Sequence, residues 1–469
     1  MVPTVRFENA EIRAEAETPD LGRRSSSVLQ FPRAAVQKRE EAIAMALGVS
    51  MIVFGGHAQA DPQAAATLTM EQAVELALSR NERASISDRG VDVARAAVEK
   101  ARTAFLPLVQ ALGSDQQHAY AATDRTPNNV RQLSLTVSQP LLNASAFPLY
   151  SQAEALLDAQ RAQNRDDKRV LGFNAATAYL SVLTSADIVR AAERQYENAQ
   201  ANLSDAKGRV EAGLTSSNDL TRAQVDVANA SREVELDRGA LQNAAIQLEL
   251  IVNAPVAPSL EPPTSTLQAA ERPPGAAGDL VHFAVDHRPD FAAIRSSVAA
   301  AHHYADEPML RLVPALGLQG QEATTSNSAV AGRWHDEIVT ATATWTLYDS
   351  GVRYADKHSR DAAATIAELT AHQLERAIDA QVRGSIALLA SAQAAYHSAD
   401  EAAISARKNA DESAILYRQG LAKAIELVDA NDSRFAAEVG DANAQYSMAQ
   451  AYLNLRQAMG LDALGTELR

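Results

Sequence analysis

The sequence predicts a mainly α-helical protein with transmembrane β-strands, built as two copies of one unit. Three observations predict this fold class: long proline-poor helical segments, pairs of strands with alternating polarity, and self-similarity at a fixed offset. Each copy is expected to run helix, strand, strand, long helix, hairpin tip, helix. The elements are taken below in the order of the chain.

The first 60 residues are expected to be a secretory signal with an N-terminal extension. Basic side chains precede an apolar run from Ile43 to Phe54, and Ala58-Gln59-Ala60 follows it. A basic region, a short apolar core and a small-residue cleavage site come in this order in secretory signals. The run is shorter than the roughly 20 residues of a membrane-spanning helix. A short apolar core helix is the alternative.

Composition narrows the function classes. The sequence contains no cysteine, which excludes disulfides, thiolate metal sites and a lipid attached through a cysteine. The formal net charge of −15 argues against nucleic-acid binding, which needs basic side chains to neutralise phosphates. No run of 18 apolar residues follows Ala60, so a membrane part would have to be a closed barrel.

An offset of 207 residues relates the two halves of the sequence. It predicts a first repeat at 61–253 and a second at 277–460, with a proline-rich linker at 254–276 and a tail at 461–469. The pairs matched by the offset are Val91 with Val298, Pro107 with Pro314, Gly113 with Gly320, Gly213-Leu214 with Gly420-Leu421, Leu220 with Leu427 and Ala223 with Ala430.

Two segments, at about 104–141 and 311–349, are expected to supply a pair of strands each. In the first, Leu133, Leu135 and Val137 alternate with polar residues from Gln132 to Ser138, and threonines alternate with apolar residues from Val339 to Leu347. Such strands fit a transmembrane barrel, although a soluble sandwich would show the same pattern. Because known pores need about eight or more strands, four strands per chain predict a cyclic oligomer.

The segment from Tyr150 to Glu211 contains no proline and predicts a helix of roughly 90 Å at about 1.5 Å per residue. The helix carries an alanine-rich heptad seam. Small seam residues let helices approach closely, which favours a closed ring of helices. A rod-like coiled coil is the alternative. The seam is Val189, Ala192, Tyr196, Ala199, Leu203, Ala206 and Val210, repeated as Tyr396, Ala399, Ala403, Ala406, Ala410, Ser413 and Tyr417.

Gly213 and Gly420 interrupt these helices and are expected to end them in the left-handed conformation. The helical pattern resumes at Leu220 and Leu427. Each interruption is therefore expected to be the tip of an antiparallel helical hairpin, at the far end from the strands.

The sequence resembles the TolC-like outer-membrane efflux proteins over residues 68–460. The motifs are Leu-Thr-Met-Glu-Gln-Ala-Val-Glu-Leu-Ala-Leu at 68–78, Phe-Leu-Pro at 105–107, Ser-Gln-Pro-Leu-Leu at 138–142, Glu-Ala-Gly-Leu at 211–214 and Tyr-Arg-Gln-Gly-Leu at 417–421. The resemblance implies a homotrimer with a 12-stranded β-barrel continued by an α-helical barrel. It implies a place in the outer membrane of a Gram-negative bacterium, in contact with outer-membrane lipid and extending into the periplasm.

The resemblance also implies site residues. Glu426 and Asp429 match an acidic ring at the periplasmic gate, although both also suit the start of a helix. Asp219 and Tyr417 match positions in bonds that hold the gate shut. The usual basic gate partner falls at Ala422, with Lys423 beside it as a substitute candidate. The tips expected to dock a periplasmic adaptor comprise Gly213, Leu214, Asp219, Leu220, Gly420 and Leu421.

We expect a passive channel, with no cofactor or metal and no nucleic acid as partner, and not an enzyme. His302 and His303 lack a third ligand at a zinc-like spacing, and no phosphate-binding glycine loop is present. The expected function is type I protein secretion with an ABC transporter and a periplasmic adaptor. The alternative is drug or metal efflux with a proton-driven pump, and a distant alternative is a trimeric coiled-coil surface protein.

Overall fold

The computed structural model describes residues 68–117, 129–257, 260–326 and 334–464. The expected secretory signal and the centres of both strand-connecting loops lie outside these residues. The first half comprises α1 (Met70–Arg80), α2 (Glu82–Arg102), β1 (Leu108–Gln117), β2 (Asn129–Leu142), α3 (Ala146–Glu211) and α4 (Ser217–Val252). After α5 (Thr264–Ala270), the second half comprises α6 (Ala277–His287), α7 (Pro289–Leu310), β3 (Ala315–Thr325), β4 (His335–Thr344), α8 (Val352–Arg418) and α9 (Ala424–Ala458). The predicted duplication of the element order is confirmed.

A single helix was expected before the first pair of strands, and this expectation is wrong. The helix breaks at Asn81, whose backbone is extended. The Asn81 carboxamide accepts a hydrogen bond from the N–H of Arg83 at 2.9 Å and donates one to the carbonyl of Ile251 at 2.8 Å. Because one short side chain satisfies both a new helix start and a distant helix end, the break is stable here.

The same junction recurs in the second half, shifted by 207 residues. Arg288 stands between α6 and α7 and donates to the carbonyl of Ala458 at 3.2 Å, at the end of α9. The residues that follow the two helix ends, Asn253 and Gly460, both have positive φ, of 50° and 82°. The offset read from the sequence therefore relates tertiary contacts as well as element order.

Within the described ranges, β1 to β4 form one antiparallel sheet in the order of the chain. One row of paired residues crosses all four strands on the same face of the sheet: Val109, Val137, Gly320 and Val339. On this face Leu133, Leu135 and Val137 of β2 are exposed. The opposite face carries mostly amides and hydroxyls, together with the exposed side chains of Leu108, Leu112 and Ile338. The predicted alternation along β2 is confirmed, whereas β4 ends at Thr344, before the predicted end near Leu347.

Helix α3 spans 66 residues, or about 100 Å at roughly 1.5 Å per residue. It packs against α1, α2, α4, α7 and α9, and the predicted heptad seam is buried or half-buried along its length. The largest core cluster gathers around Tyr179, which is fully buried. In the part of the chain that is described, no helix combines the length and apolarity needed to cross a membrane.

Tyr179 joins three segments that are far apart in sequence. Its hydroxyl lies 2.7 Å from the carbonyl of Leu68 and 2.6 Å from that of Glu261. Burial raises the pKa of Tyr179 to about 12, so its phenol stays protonated and shares one proton between the two carbonyls.

We expect Tyr179→Phe to lower the free energy of unfolding by about 1 to 3 kcal/mol, because two carbonyls lose their donor. Thermal unfolding of the purified full chain in detergent measures this loss. Tyr348→Phe is the matched control, since Tyr348 is 83% exposed. Equal midpoints for the two variants would contradict the role assigned to the Tyr179 hydroxyl.

Candidate functional site

The candidate site lies at the tips of two helical hairpins, α3–α4 and α8–α9. At the first tip Gly213 has a φ of 72°, and the N–H of Leu214 donates to the carbonyl of Arg209 at 2.8 Å. At the second, Gly420 has a φ of 77°, and the N–H of Leu421 donates to the carbonyl of Leu416 at 2.9 Å. Both helices thus end in the same glycine-dependent motif, as predicted.

The tips project apolar side chains away from the hairpins. Leu214 is 78% exposed and Leu421 is 74% exposed, in contrast to the buried Leu427 one turn into α9. A cavity of about 690 Å³ separates the two tips, with Asp219, Leu214, Tyr417 and Lys423 among its lining residues.

Arg209 links the two hairpins at the tips. Its Nη2 donates to the carbonyl of Tyr417 at 2.6 Å, and its guanidinium lies 4.2 Å from the centroid of the Tyr417 ring. Tyr417 is buried at 6% exposure. Sequence reasoning identified Tyr417 but missed Arg209. The available signal was a basic residue in the last turn of α3, beside the seam residue Val210.

The other two candidates for gate bonds, Asp219 and Lys423, line the same cavity without bonding to each other. The carboxylate of Asp219 accepts a hydrogen bond from the hydroxyl of Thr215, within its own tip. Among the described residues, no hydrogen bond joins Asp219 to Tyr417, and the ammonium of Lys423 contacts no carboxylate. The gate roles of Asp219 and Lys423 stay predictions.

Glu426 and Asp429 lie exposed in the first turns of α9. Glu426 accepts a hydrogen bond from the N–H of Lys423 at 3.3 Å, so the helix-start function weighed for it is present. The Lys423 ammonium has no lone pair and cannot complete a reciprocal cap. Asp429 makes no such contact with the helix start, and its exposed carboxylate faces solvent in the single chain.

Helix α3 makes further contacts with α9 at successive levels above the tips. Gln195 donates to the carboxylate of Asp432 at 2.7 Å, Arg194 to Glu438 at 2.7 Å, and Tyr446 of α9 to Asp187 at 3.0 Å. Arg169 donates to the carbonyl of Gln457 at 2.7 Å, near the end of α9. These polar contacts hold α9 of the second hairpin against α3 of the first.

Glu438 is the most connected of these residues. Its buried carboxylate binds Arg194 of α3, Arg407 of α8 and Arg434 of α9 at N–O distances of 2.7, 3.2 and 3.1 Å. Burial by itself would raise the pKa of Glu438, but the hydrogen bonds from Arg194 and Arg434 outweigh it and hold the pKa below its usual value. One carboxylate therefore joins three helices of two hairpins.

His302 pairs with Glu368 at 2.8 Å, and no group of three His, Cys, Asp or Glu side chains converges among the described residues.

Comparisons with known proteins agree with this geometry. The profile described as "Outer membrane efflux protein" matches residues 73–254 and 280–461. The chain is 24% identical over 440 residues to the outer membrane protein TolC of Escherichia coli (strain K12), covering 88% of this chain and 85% of that protein. It is 27% identical to the pyoverdine export outer membrane protein OpmQ of Pseudomonas putida, over 65% of this chain and 64% of that protein.

The fold has a close structural counterpart. The chain superimposes on the open state of the Neisseria gonorrhoeae MtrE outer membrane channel with a TM-score of 0.70 and 17% identity. The superposition covers 84% of this chain and 89% of that channel. At this identity the likeness extends to the fold alone.

We expect Arg209→Ala to loosen the two tips, because a cation–π contact and a charge-assisted hydrogen bond are lost. The expected cost is about 1 to 2 kcal/mol, or roughly tenfold in local opening. Hydrogen–deuterium exchange of the purified chain should accelerate at 205–225 and 412–430. Lys207→Ala removes an exposed charge two residues away and should leave exchange unchanged; equal acceleration in both variants would contradict the link.

We expect Glu438→Gln to destabilise the packing of the hairpins by about 2 kcal/mol, since three guanidiniums lose one carboxylate. In the wild type, the lowered pKa makes this contribution complete above the ordinary glutamate value of about 4.3, and it is lost as the pH falls through the lowered value. Thermal unfolding between neutral and acidic pH should show the two proteins converging at low pH. Glu412→Gln, which removes an exposed carboxylate of α8, should stay parallel to the wild type.

Proposed function

Because the chain belongs to the outer membrane efflux protein family, we propose that it is the exit duct of a type I protein secretion machine. Membership makes the protein an outer-membrane channel of a tripartite export system that extends into the periplasm. It is a passive channel and not an enzyme. Members of the family form homotrimers that work with periplasmic adaptors and inner-membrane pumps.

The proposed assembly of this chain is a homotrimer that closes one 12-stranded barrel. Two observations support it. Both outer strands of the four-stranded sheet, β1 and β4, have one edge without a strand partner in the described chain. One face of the sheet exposes Leu133, Leu135 and Val339, as expected of a surface in contact with outer-membrane lipid. Pairing β4 of one chain with β1 of the next satisfies every edge.

The proposed adaptor-docking surface comprises the two tips, Gly213–Leu220 and Gly420–Leu421. The exposure of Leu214 and Leu421 supports this, because burying both side chains against a partner would remove apolar surface from water. The cavity of about 690 Å³ between the tips offers a groove beside them. An adaptor that ends in apolar side chains would bury both leucines at once.

The proposed gate contains the acidic ring of Glu426 and Asp429. Both side chains are exposed in the single chain and so are free to face a central pore. Three chains would gather two carboxylates each at one narrow level, which attracts cations and disfavours anions. Arg209, through Tyr417, is the proposed intra-chain link that keeps the tips together, with Asp219 and Lys423 as candidates for bonds between chains.

Protein cargo is preferred over small molecules because the sequence lacks a cysteine for the lipid anchor usual in small-molecule efflux members. The likeness to a pyoverdine export protein keeps small-molecule efflux with a proton-driven pump as the second candidate. An ABC transporter together with an exported protein is the partner set that type I secretion requires.

We expect Glu426→Gln/Asp429→Asn to reduce the preference of the channel for cations, since each chain loses two negative charges at the ring. Reversal potentials across planar bilayers in a salt gradient measure that preference. Glu71→Gln/Glu75→Gln removes the same charge from α1 and serves as the control. An unchanged reversal potential in the ring variant would refute the ring while leaving the channel itself established by its conductance.

Deleting the gene should abolish secretion of the exported protein, and the wild-type chain supplied in trans should restore it. The medium is assayed for the secreted protein, and growth is scored with drugs and metals in parallel. If only drug or metal sensitivity changes, the proposed cargo is wrong and the efflux alternative is correct.

A further inference from the structure

The helices leave α8 with one long side that packs on nothing among the described residues. Towards the tips the helices pack in the order α4, α3, α9, α8, and towards the sheet in the order α2, α3, α7, α8. The contact of Asn81 with Ile251 sets α2 on the end of α4, so these two helices form one border of the chain. Helix α8 forms the other border at both levels, as β4 does in the sheet.

The free side of α8 consists of small uncharged residues. They recur every three or four positions, on the side of the helix opposite to the seam that packs on α9. A helix face meant for water usually carries charge, and this one carries none over about five turns. This α8 face comprises Gly384, Ala387, Ser391, Ala394, Ser398 and Ala402, all exposed.

The outward side of α4 carries larger apolar residues. This α4 face exposes Val225, Leu236, Ile246 and Leu250, which again lie opposite to the seam that packs on α3. Gly239 lies on the same face, and a Cβ added there would meet no described atom within 4 Å. Glycine inside a helix lowers its stability and suits a place where another backbone approaches closely. Because nothing described approaches Gly239, the α4 face indicates contact with another molecule.

The α4 and α8 faces match in height above the tips. The link between the last turns of α3 and α8 shows that the two tips are level. Ile246 lies about eight turns above the first residue of α4, level with the interval between Ala387 and Ser391. Gly239 and Ala394 both lie roughly six to seven turns above the tips. Rotation about a central axis keeps each residue at its height, so residues that are level in one chain meet between neighbouring chains.

The same two borders are apolar nearer the sheet. There α2 exposes Ile86 and Val93, and α8 exposes Ile366 and Leu369. Burying these side chains against each other removes further apolar surface from water. The matching borders therefore continue from the hairpins to the strands.

We infer that the α8 face binds the α4 face of a second copy of this chain, with the large side chains of α4 set between the small ones of α8. Ile246 enters the gap between Ala387 and Ser391, and Gly239 opposite Ala394 marks the closest approach of the two helices. Two different faces meet, so the contact is head-to-tail and closes into a ring. The inference rests on the proposed homotrimer and continues its pairing of β4 with β1 down to the hairpins.

Disulfide cross-linking tests the contact, since the sequence contains no cysteine of its own. Oxidation of Ile246→Cys/Ala387→Cys, as the purified full chain in detergent, should give covalent trimers on denaturing gels without reductant. Ile246→Cys/Ala402→Cys is the matched control and should stay monomeric on the gel. Ala402 lies on the same face about four turns below Ala387, beyond the reach of a disulfide.

A second variant tests the close approach. Gly239→Leu should leave the single chain folded, because its Cβ meets nothing described within 4 Å. It should weaken trimer formation by more than about tenfold, because the larger side chain overpacks the contact with Ala394. Gly440→Leu is the control, since Gly440 is equally open and lies on α9, between α3 and α8. Light scattering in detergent over a dilution series measures the trimer.

The outcomes separate this contact from the homotrimer itself. If the wild type is a trimer but Ile246→Cys/Ala387→Cys gives no covalent trimer, the contact is wrong and the homotrimer stands. Equal cross-linking of the Ala402→Cys pair, or equal trimer formation by Gly239→Leu and Gly440→Leu, would overturn the contact in the same way. A wild type that is not a trimer would overturn both.

Discussion

The packing of α3 is the constraint on which the rest of the structure depends. This helix of about 100 Å contacts the other helices of its own half and also α7 and α9 of the second half. Tyr179 ties its upper part to the segments at Leu68 and Glu261, and Arg209 ties its last turn to Tyr417. Because one continuous helix carries both contacts, the core around Tyr179 and the tips are held in a fixed relation along its axis.

Helix α3 makes mainly apolar contacts in its upper part and mainly polar contacts to the second hairpin in its lower part. Around Tyr179, large apolar side chains fill a continuous core that includes Leu180, Leu183 and Leu248. Towards the tips alanine occupies every second seam position of α3, and separate polar contacts such as Gln195–Asp432 and Arg194–Glu438 join the two hairpins. Small seam residues contribute little apolar area, so each polar contact carries a larger share of the stability there. The lower hairpins therefore depend more on individual polar contacts than the upper core does.

Local patterns allowed much of this fold to be predicted from the sequence. Heptad seams, the alternation along β2 and the glycines at 213 and 420 each depend on neighbours within a few residues. The break at Asn81 escaped prediction because its second partner, Ile251, is 170 residues away. The links made by Arg209 and Glu438 were missed for the same reason. Each residue acquires its partner through packing of α3 on the second hairpin, and a single sequence carries no signal for that pairing. Family resemblance pointed to Asp219 and Tyr417 at the tips, but it did not reveal the bond from Arg209 to Tyr417.

Charged side chains are distributed differently on the polar face of the sheet and along the helices. The polar face of the sheet carries Gln110, Thr136, Gln319 and Thr340 through its middle levels, all uncharged. Hydroxyls and amides of this kind can bind water and both signs of ion without preference. Carboxylates and guanidiniums join the helices instead, both at the sheet end, where Glu307 of α7 pairs with Arg360 of α8, and towards the tips, where Glu438 of α9 pairs with Arg194 of α3. If three sheets line one lumen, as we propose, the uncharged residues of the barrel would select little between cations and anions. Any discrimination must then lie at the hairpins, where side chains approach closely and a single contact, such as Arg209 with Tyr417, controls how near the tips come.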